Sequence, residues 1–484
     1  MRITKIALKN FRAFYADHEI DLGKKGRNLL VYGENGSGKS SLLKAIELFI
    51  DSHVRNYQFT NYRNFHRIDT DGGHVKISMR ATKNDPETTY EWSDTTRETD
   101  APLILQAAKT RGSLDYKSLL KVYFLTQDNS EIDLFKLLIE EILNNTRNNF
   151  TDRLLSEEWE EIINYPIPRS AKHTNRIQEL QSILDNFNNG LDSILQLLKN
   201  EAIDILNQFD NSIIIDFNFN RLEFDLPNKC LTGGNVYLQV HVNQINFTSP
   251  HQFLNEAKLS AIALSIYLAA LKTNPSSPLK ILVLDDVLIG LDMSNRIPII
   301  HILKEKFNDY QIFLMTYDKE WYELLKRHFN DWKTIEIYAG RGIDYEIPIL
   351  VENKKYLEKA QNYLQAHDHT AAAVYLRKAF EVRIKSFCEK MNLRVKYRER
   401  AKDLDTNDFW EPIINAKNSD GTPKNYISTA LISLLGQHRT FIMNPLSHAT
   451  LAFAPAREIQ DAIDSMRQLE NELDAIVNSR NSNL

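Results

Sequence analysis

The sequence predicts an α/β fold, a P-loop head whose sheet is split by a short helical insertion, followed by a C-terminal all-helical domain. Three observations predict it. Gly33-Glu34-Asn35-Gly36-Ser37-Gly38-Lys39-Ser40 matches GxxxxGK[ST] between a strand-like run at residues 29–32 and a helix-like run at 42–50. The wholly apolar run 281–284, ending in Asp285 and Asp286, reads as a central parallel strand buried on both faces. Beyond residue 352, helical periods continue with almost no strand signal.

In chain order, residues 3–8, 20–22 and 29–32 read as short strands leading into the P-loop, with Phe11-Arg12-Ala13-Phe14 turning between the first two. Strands resume at 75–79 and 89–92, and a strand-like run at 122–126 ends at Gln127. From 131 to about 209 the apolar spacing becomes helical (Leu134, Leu137, Leu138, Ile142; then Ile177, Leu180, Ile183, Leu184), broken near Pro166 and Pro168. Residues 212–219, 236–242, 281–284, 312–315, 334–338 and 345–350 return to strand pattern, with a strong helical stretch at 256–271. Helices are expected at 354–366, 370–391, 426–443 and 456–479. The expected domains are therefore an N-terminal lobe of the head (1–130), a helical insertion (131–210), a C-terminal lobe (211–352) and the helical domain (353–484).

With 484 residues, 43% hydrophobic and 25% charged, the chain can bury sizeable cores. A formal net charge of -5 does not point to coating nucleic acid by bulk charge, and any nucleic-acid role must be local or delegated. Cys230 and Cys388 are the only cysteines, so neither a disulfide framework nor a zinc site is indicated. No run approaches the roughly 18 uninterrupted apolar residues of a membrane span. The start, Met1-Arg2-Ile3-Thr4-Lys5-Ile6, lacks a signal-peptide core, and a cytoplasmic location is expected.

Glycines at 33, 36 and 38 let backbone N–H groups ring a phosphate, Lys39 reaches the β/γ phosphates, and Ser40 can ligate Mg²⁺. The pattern implies a nucleoside triphosphate, ATP, with Mg²⁺. Asp285, delivered at a strand end, can hold the metal shell, and Asp286 stands where a base would polarise water.

Together these motifs resemble the ABC-type ATPases of the SMC, RecF and RecN group. Asn10-Phe11-Arg12 resembles their first strand and turn, residues 33–41 including Ser41 their Walker A, and Gln127 their Q-loop. Leu254-Asn255-Glu256-Ala257-Lys258 stands where the signature lies, Leu291-Asp292 fits the D-loop, and Thr316-Tyr317-Asp318 follows an apolar strand where the switch histidine would be. The resemblance covers about residues 1–350. It implies Mg-ATP held by Arg12, Lys39, Ser40, Gln127 and Asp285, with Asn255 completing the site from a second head, hence a homodimer or higher oligomer. Glu256 and Ala257 depart from the signature, Asp286 is one methylene shorter than the usual glutamate, and Tyr317 replaces histidine. Each change displaces a group around the attacking water, and slow hydrolysis is expected.

The short span from 128 to 253, without sustained heptads, resembles the ATPases of bacterial phage-defence operons, and residues 284–296 look most like the PtuA family of the Septu systems. That resemblance implies a partner nuclease of HNH type under control of an ATP-binding scaffold. In the tail, Met443-Asn444-Pro445-Leu446-Ser447-His448 resembles the RNxxxH element of HEPN ribonucleases, with methionine where the arginine belongs, a place that Arg439 or Arg377 would have to fill, while Arg377 and Glu381 are four apart on one helix face. A self-contained ATPase ribonuclease of PrrC or RloC type is the alternative, and a RecF-type repair ATPase the third. His367-Asp368-His369 reads as a solvated turn with a helix cap, and the cluster Arg394, Lys396, Arg398, Arg400 and Lys402, which also contains Glu399, reads first as a solvated face and second as a DNA or RNA contact.

Overall fold

Alternation along the strands decides where the layers lie. A computed structural model describes residues 1–66, 71–123, 132–168, 170, 172–243, 245–247, 249–273, 277–288, 291, 293–341, 346–352, 356–396, 398, 405–418, 420–444 and 455–482. These residues divide into two units, Met1–Glu352 and Asn353–Leu484.

The first unit is built on a six-stranded sheet. Its members are β3 (Leu29–Gly33), β6 (Gly112–Asp115), β12 (Ile281–Asp285), β13 (Gln311–Thr316), β14 (Lys333–Arg341) and β15 (Glu346–Glu352), in the order β15-β14-β3-β13-β12-β6. All neighbours are parallel except β15, which runs antiparallel to β14. Because successive side chains point to opposite faces, Leu29, Val31, Ile281, Val283, Phe313 and Met315 enter one apolar cluster while Leu30, Tyr32, Leu282, Leu284, Ile312 and Leu314 enter another. Both faces are covered, so β3, β12 and β13 read as near-continuous apolar runs rather than alternating ones.

The first face is covered by the helix Lys39–Asp51 and by an antiparallel sheet of β1 (Arg2–Phe11), β2 (Phe14–Asp21), β4 (His74–Arg80) and β5 (Thr88–Ser93), ordered β2-β1-β4-β5. The second face is covered by the helices Glu256–Thr273, Met293–Lys306 and Lys319–His328. Glu256–Thr273 is buried nearly all round, because the sheet lies on one side and the 33-residue helix Thr174–Leu206 on the other. That long helix presents Leu180, Leu184, Phe187, Leu191, Ile194, Leu198, Ala202 and Ile205, a stripe at helical spacing. Smaller pieces complete the unit: β7 (Ile213–Asn220), β10 (Asn235–Val242) and β11 (Ile245–Phe247) form a sheet in the order β11-β10-β7, and β8 (Glu223–Asp225) pairs with β9 (Cys230–Thr232).

One expectation is corrected. The run predicted as a strand at 122–126 begins inside a helix, Tyr116–Tyr123, whose Leu119 and Val122 are buried three residues apart on one face. The strand beside β12 is instead the four residues Gly112–Asp115. A glycine, a serine and an aspartate give it no strand propensity, and pairing with β12 holds it extended. Gln127 lies outside the described residues.

Among the described residues, the second unit has the helices Tyr356–Gln365, His369–Lys390, Thr406–Ile414, Thr429–His438 and Ala456–Ser482, with a π-helical turn Arg439–Met443 closing the fourth. Leu376, Phe380, Ile384, Phe387, Trp410, Leu435, Ile459, Ile463 and Met466 form its own core. Across both units, no helix among the described residues is long and apolar enough to cross a membrane.

Candidate nucleotide site

Two strand ends and one helix start meet at this site. β3 ends at Gly33, and the chain turns through Gly36 (φ 83°) and Gly38 (φ 103°), left-handed conformations that L side chains rarely adopt, into the helix Lys39–Asp51. Gly33 is required for space instead: a Cβ there would collide with Ser37 Oγ and stand 2.9 Å from the Ile337 carbonyl oxygen. The helix N-terminus supplies N–H groups and the positive end of its dipole, an anion site by construction. Glu34, Asn35 and Gly36 are exposed, whereas Ser37 is fully buried with its Oγ unpartnered.

Lys39 is 5% exposed, and its Nζ donates to the Gly33 carbonyl at 2.5 Å and to that of Glu34 at 3.3 Å, and lies 3.7 Å from Asp286 Oδ2. Ser40 Oγ donates to Asp285 Oδ2 at 3.2 Å. Ser41 turns inward and its hydroxyl accepts from the Ala13 N–H at 3.4 Å, tying the β1–β2 turn to the helix. That turn carries Arg12, exposed and at φ 48°, with its N–H on the Tyr62 carbonyl and its own carbonyl accepting from Asn64 Nδ2.

At the end of β12, burial and then the charge of Asp286 push the Asp285 carboxyl up to about 6. Its Oδ1 is buried without a partner. A carboxylate with one uncommitted oxygen beside a serine hydroxyl is a hard-oxygen donor pair, which fits Mg²⁺ completed by phosphates. Asp286 adopts φ 53°, its N–H bonds the Met315 carbonyl, and its Oδ1 accepts from the Tyr317 N–H at 2.9 Å. Burial raises this carboxyl too, against the pull of Lys39. Tyr317 is 39% exposed, with Lys39 Nζ 6.0 Å from its ring centroid.

The structure thus gathers Lys39, Ser40, Asp285, Asp286 and Tyr317. Asn255 is elsewhere: exposed, its Oδ1 accepting from the Lys258 N–H at 3.0 Å as the cap of the helix Glu256–Thr273. The cap occupies its oxygen. Asp292 of the D-loop lies outside the described residues.

Two residues were missed. Asp115 ends β6 in register with Asp285, and its Oδ1 accepts from both the N–H and the hydroxyl of Ser118. Arg296 donates to the Leu291 carbonyl and to Asp318. Spacing signals neither role, since strand pairing brings Asp115 to Asp285 and packing brings Arg296 to Asp318. In the tail, Arg377 Nε pairs with Glu381 at 3.0 Å, Asp368 caps the helix His369–Lys390, and Arg398 makes a bidentate pair with Asp408, which absorbs one charge of the basic cluster. Pro445, Leu446, Ser447, His448, Arg400 and Lys402 lie outside the described residues.

Residues 2–333 match the family described as the RecF/RecN/SMC N terminal domain. Among solved structures, the recombination mediator protein RecF-ATP of the RecFOR pathway is 14% identical, with 73% of this chain and 98% of that one covered, and TM-score 0.46. An Smc head domain with an extended coiled coil, bound to the C-terminal domain of ScpA and derived from Pyrococcus furiosus, is 14% identical over 75% and 99% of the two chains, with TM-score 0.43. The SMC head domain from Thermotoga maritima is 14% identical over 73% and 100%, with TM-score 0.36. No curated protein matches.

Proposed function

Since the chain belongs to the RecF/RecN/SMC N-terminal domain family, an ABC-type ATPase family, we propose that its head binds Mg-ATP, hydrolyses it slowly, and uses the bound state to control a separate HNH-type nuclease in a two-component phage-defence complex of Septu PtuA type. The observation that carries the nucleotide part is the meeting of Lys39, Ser40, Asp285 and Asp286 within hydrogen-bonding and ion-pairing distance. Lys39 and the helix N-terminus bind phosphate, Ser40 and Asp285 hold Mg²⁺, and the metal neutralises charge on the phosphates. Asp286 accepts a hydrogen bond from water at its carboxylate and so aims it. Asn255, capping an exposed helix start, is the contribution to a second head, and a homodimer follows. With Asp286 shorter than glutamate and Tyr317 presenting a backbone N–H to it, the water is held less well. A ligand that dwells before hydrolysis is suited to selecting a conformation.

The regulatory part is supported by a helical unit with a core of its own and by an insertion whose longest helix has 33 residues, about 50 Å at 1.5 Å per residue. That length suits a compact scaffold rather than a chromosome-scale tether.

A second reading, RNA cleavage by the tail, is favoured by one observation. Burial and then the charge of Arg377 depress Arg439, whose guanidinium sits 5.1 Å from the Phe380 ring centroid and donates to Asn407 Oδ1 at 2.7 Å, beside the Arg377–Glu381 pair that Thr406 also joins.

The test is one preparation incubated with plasmid DNA and total tRNA across ATP concentrations, with and without an HNH protein encoded beside this chain. Cleavage that requires the partner and shifts with ATP supports the scaffold. RNA cleavage by this chain alone, lost in Arg439→Ala or His448→Ala, replaces it with the second reading.

A further inference from the structure

We propose that Arg296 is a positioning residue for Asp286, tying the segment that follows β12 to the segment that follows β13 so that the Asp286 carboxylate is held in its working place. The inference rests on the reading of Asp286 as the group that orients water.

The argument begins with strain. Asp286 has φ 53°, a left-handed conformation that non-glycine residues sustain only where the surroundings over-determine it. Its backbone N–H and one carboxylate oxygen are restrained by one short stretch: the Met315 carbonyl accepts its N–H at 3.0 Å and the Tyr317 N–H donates to its Oδ1 at 2.9 Å. The carboxylate is therefore set from two sides, by residues 315–317 and by Lys39, 3.7 Å from its Oδ2.

Met315 and Thr316 are held in β13 by its pairing with β12 and β3, and what fixes Tyr317 beyond the strand is the next residue. Asp318 Oδ1 accepts from the Trp321 N–H at 3.1 Å, starting the helix Lys319–His328, while its Oδ2 accepts from Arg296 Nη1 at 2.5 Å. Arg296 Nε donates in addition to the Leu291 carbonyl at 2.7 Å. The two described ends of the segment after β12 are therefore fastened to the same neighbour, Asp286 through Tyr317 and Leu291 through Arg296 and Asp318.

Two features bear on this tie. A cavity of only about 20 Å³, lined by Asp286, Leu288, Arg296, Tyr317, Asp318 and Trp321 among others, lies between the segments, and the Arg296–Asp318 pair is a polar tie beside the apolar contacts of Val287, Leu288, Leu291 and Trp321. The Arg296 side chain is 14% exposed, which limits competition by water, and a guanidinium reaches two acceptors in fixed directions where an ammonium is a point charge. Burial opposes ionisation of Asp318, yet the Trp321 N–H and Arg296 outweigh it and hold the carboxyl below its usual range, so the pair stays charged at neutral pH.

The test compares single-turnover ATP hydrolysis, with protein in excess, and equilibrium binding of a fluorescent ATP analogue by the full chain carrying Arg296→Ala, Arg296→Lys, Asp318→Asn, the Arg296→Ala/Asp318→Asn pair, or Asp286→Asn. Misplacement by about 1 Å costs on the order of 100-fold, so Arg296→Ala is expected to slow hydrolysis by about 10-fold or more and leave nucleotide affinity within about twofold. Arg296→Lys is expected to rescue little, and the double variant to be no slower than the slower single. Hydrolysis unchanged in Arg296→Ala, losses that multiply in the double variant, or an equal fall in affinity would each overturn the proposal. Should Arg296→Ala lose its circular dichroism, Arg296→Lys and Asp318→Asn decide the same question. Wild-type hydrolysis by Asp286→Asn would overturn the reading of the site itself, whereas an inactive Asp286→Asn beside unaffected Arg296 variants would overturn this inference alone.

Discussion

Asp285 carries the main conflict in the proposed nucleotide site, because the metal ligand proposed here must be ionised while burial favours its neutral form. Its carboxyl is pushed up to about 6, so folding favours the protonated state. The stability it contributes is present below the ordinary carboxylate value near pH 4 and is lost as pH rises through about 6. Asp285→Asn is accordingly expected to melt above the parent chain at pH 7 and level with it near pH 4, read by calorimetry without nucleotide. Metal binding runs the other way. The Mg²⁺-dependent part of ATP affinity is expected to fall as pH drops below about 6 and to show no such fall in Asp285→Asn; a flat profile in the parent would remove Asp285 from the metal shell. The P-loop residues were legible because their spacing is local: a turn of left-handed glycines and a helix start lie within eight positions. Arg296 and Asp115 were not, because each acts on a residue that only strand pairing or helix packing brings near.

At the scale of elements, the apolar strands and the long helices were legible from periodicity, and the shortest strand was not. β6 is held extended by its pairing with β12 although three of its four residues lack strand propensity, whereas the apolar run after it, which alone resembled a strand, begins in a helix that buries Leu119 and Val122. The long helix Thr174–Leu206 carries an instructive glycine. Gly190 lies where Asn148 docks, its amide donating to Glu158 at 2.8 Å and to the Asn186 carbonyl at 3.0 Å, and a Cβ at 190 would overlap the Asn148 side chain. Replacing a mid-helix glycine by alanine ordinarily gains about 0.5–1 kcal/mol. Here Gly190→Ala is expected to destabilise by about 1–3 kcal/mol through overpacking, measured as a lower denaturant midpoint at unchanged slope. A stabilised variant would mean that Asn148 is readily displaced.

For the whole molecule, the division between Glu352 and Asn353 leaves each unit with a closed apolar core. Residues 353–484 expressed alone are expected to be helical and to unfold cooperatively in circular dichroism; a gradual, non-cooperative melt would show that their core depends on the head. The proposed second head gives another expectation. ATP should promote self-association of the full chain in light scattering, and Lys39→Ala, lacking the phosphate cation, should abolish it. Association that ignores ATP would place the contact elsewhere than at the nucleotide.

By itself the sequence determined the class of head, the nucleotide motif and the helical character of the tail, because each rests on interactions within a few residues: glycine turns, strand alternation and helical stripes. Tertiary structure alone decided which strand lies beside Asp285, that Asp286 is gripped by the backbone of residues 315–317, and that Arg296 bridges Leu291 and Asp318. Those are contacts between elements, and their partners are chosen by the order in which parallel strands pair and by the helices packed across them, neither of which has a local period to read.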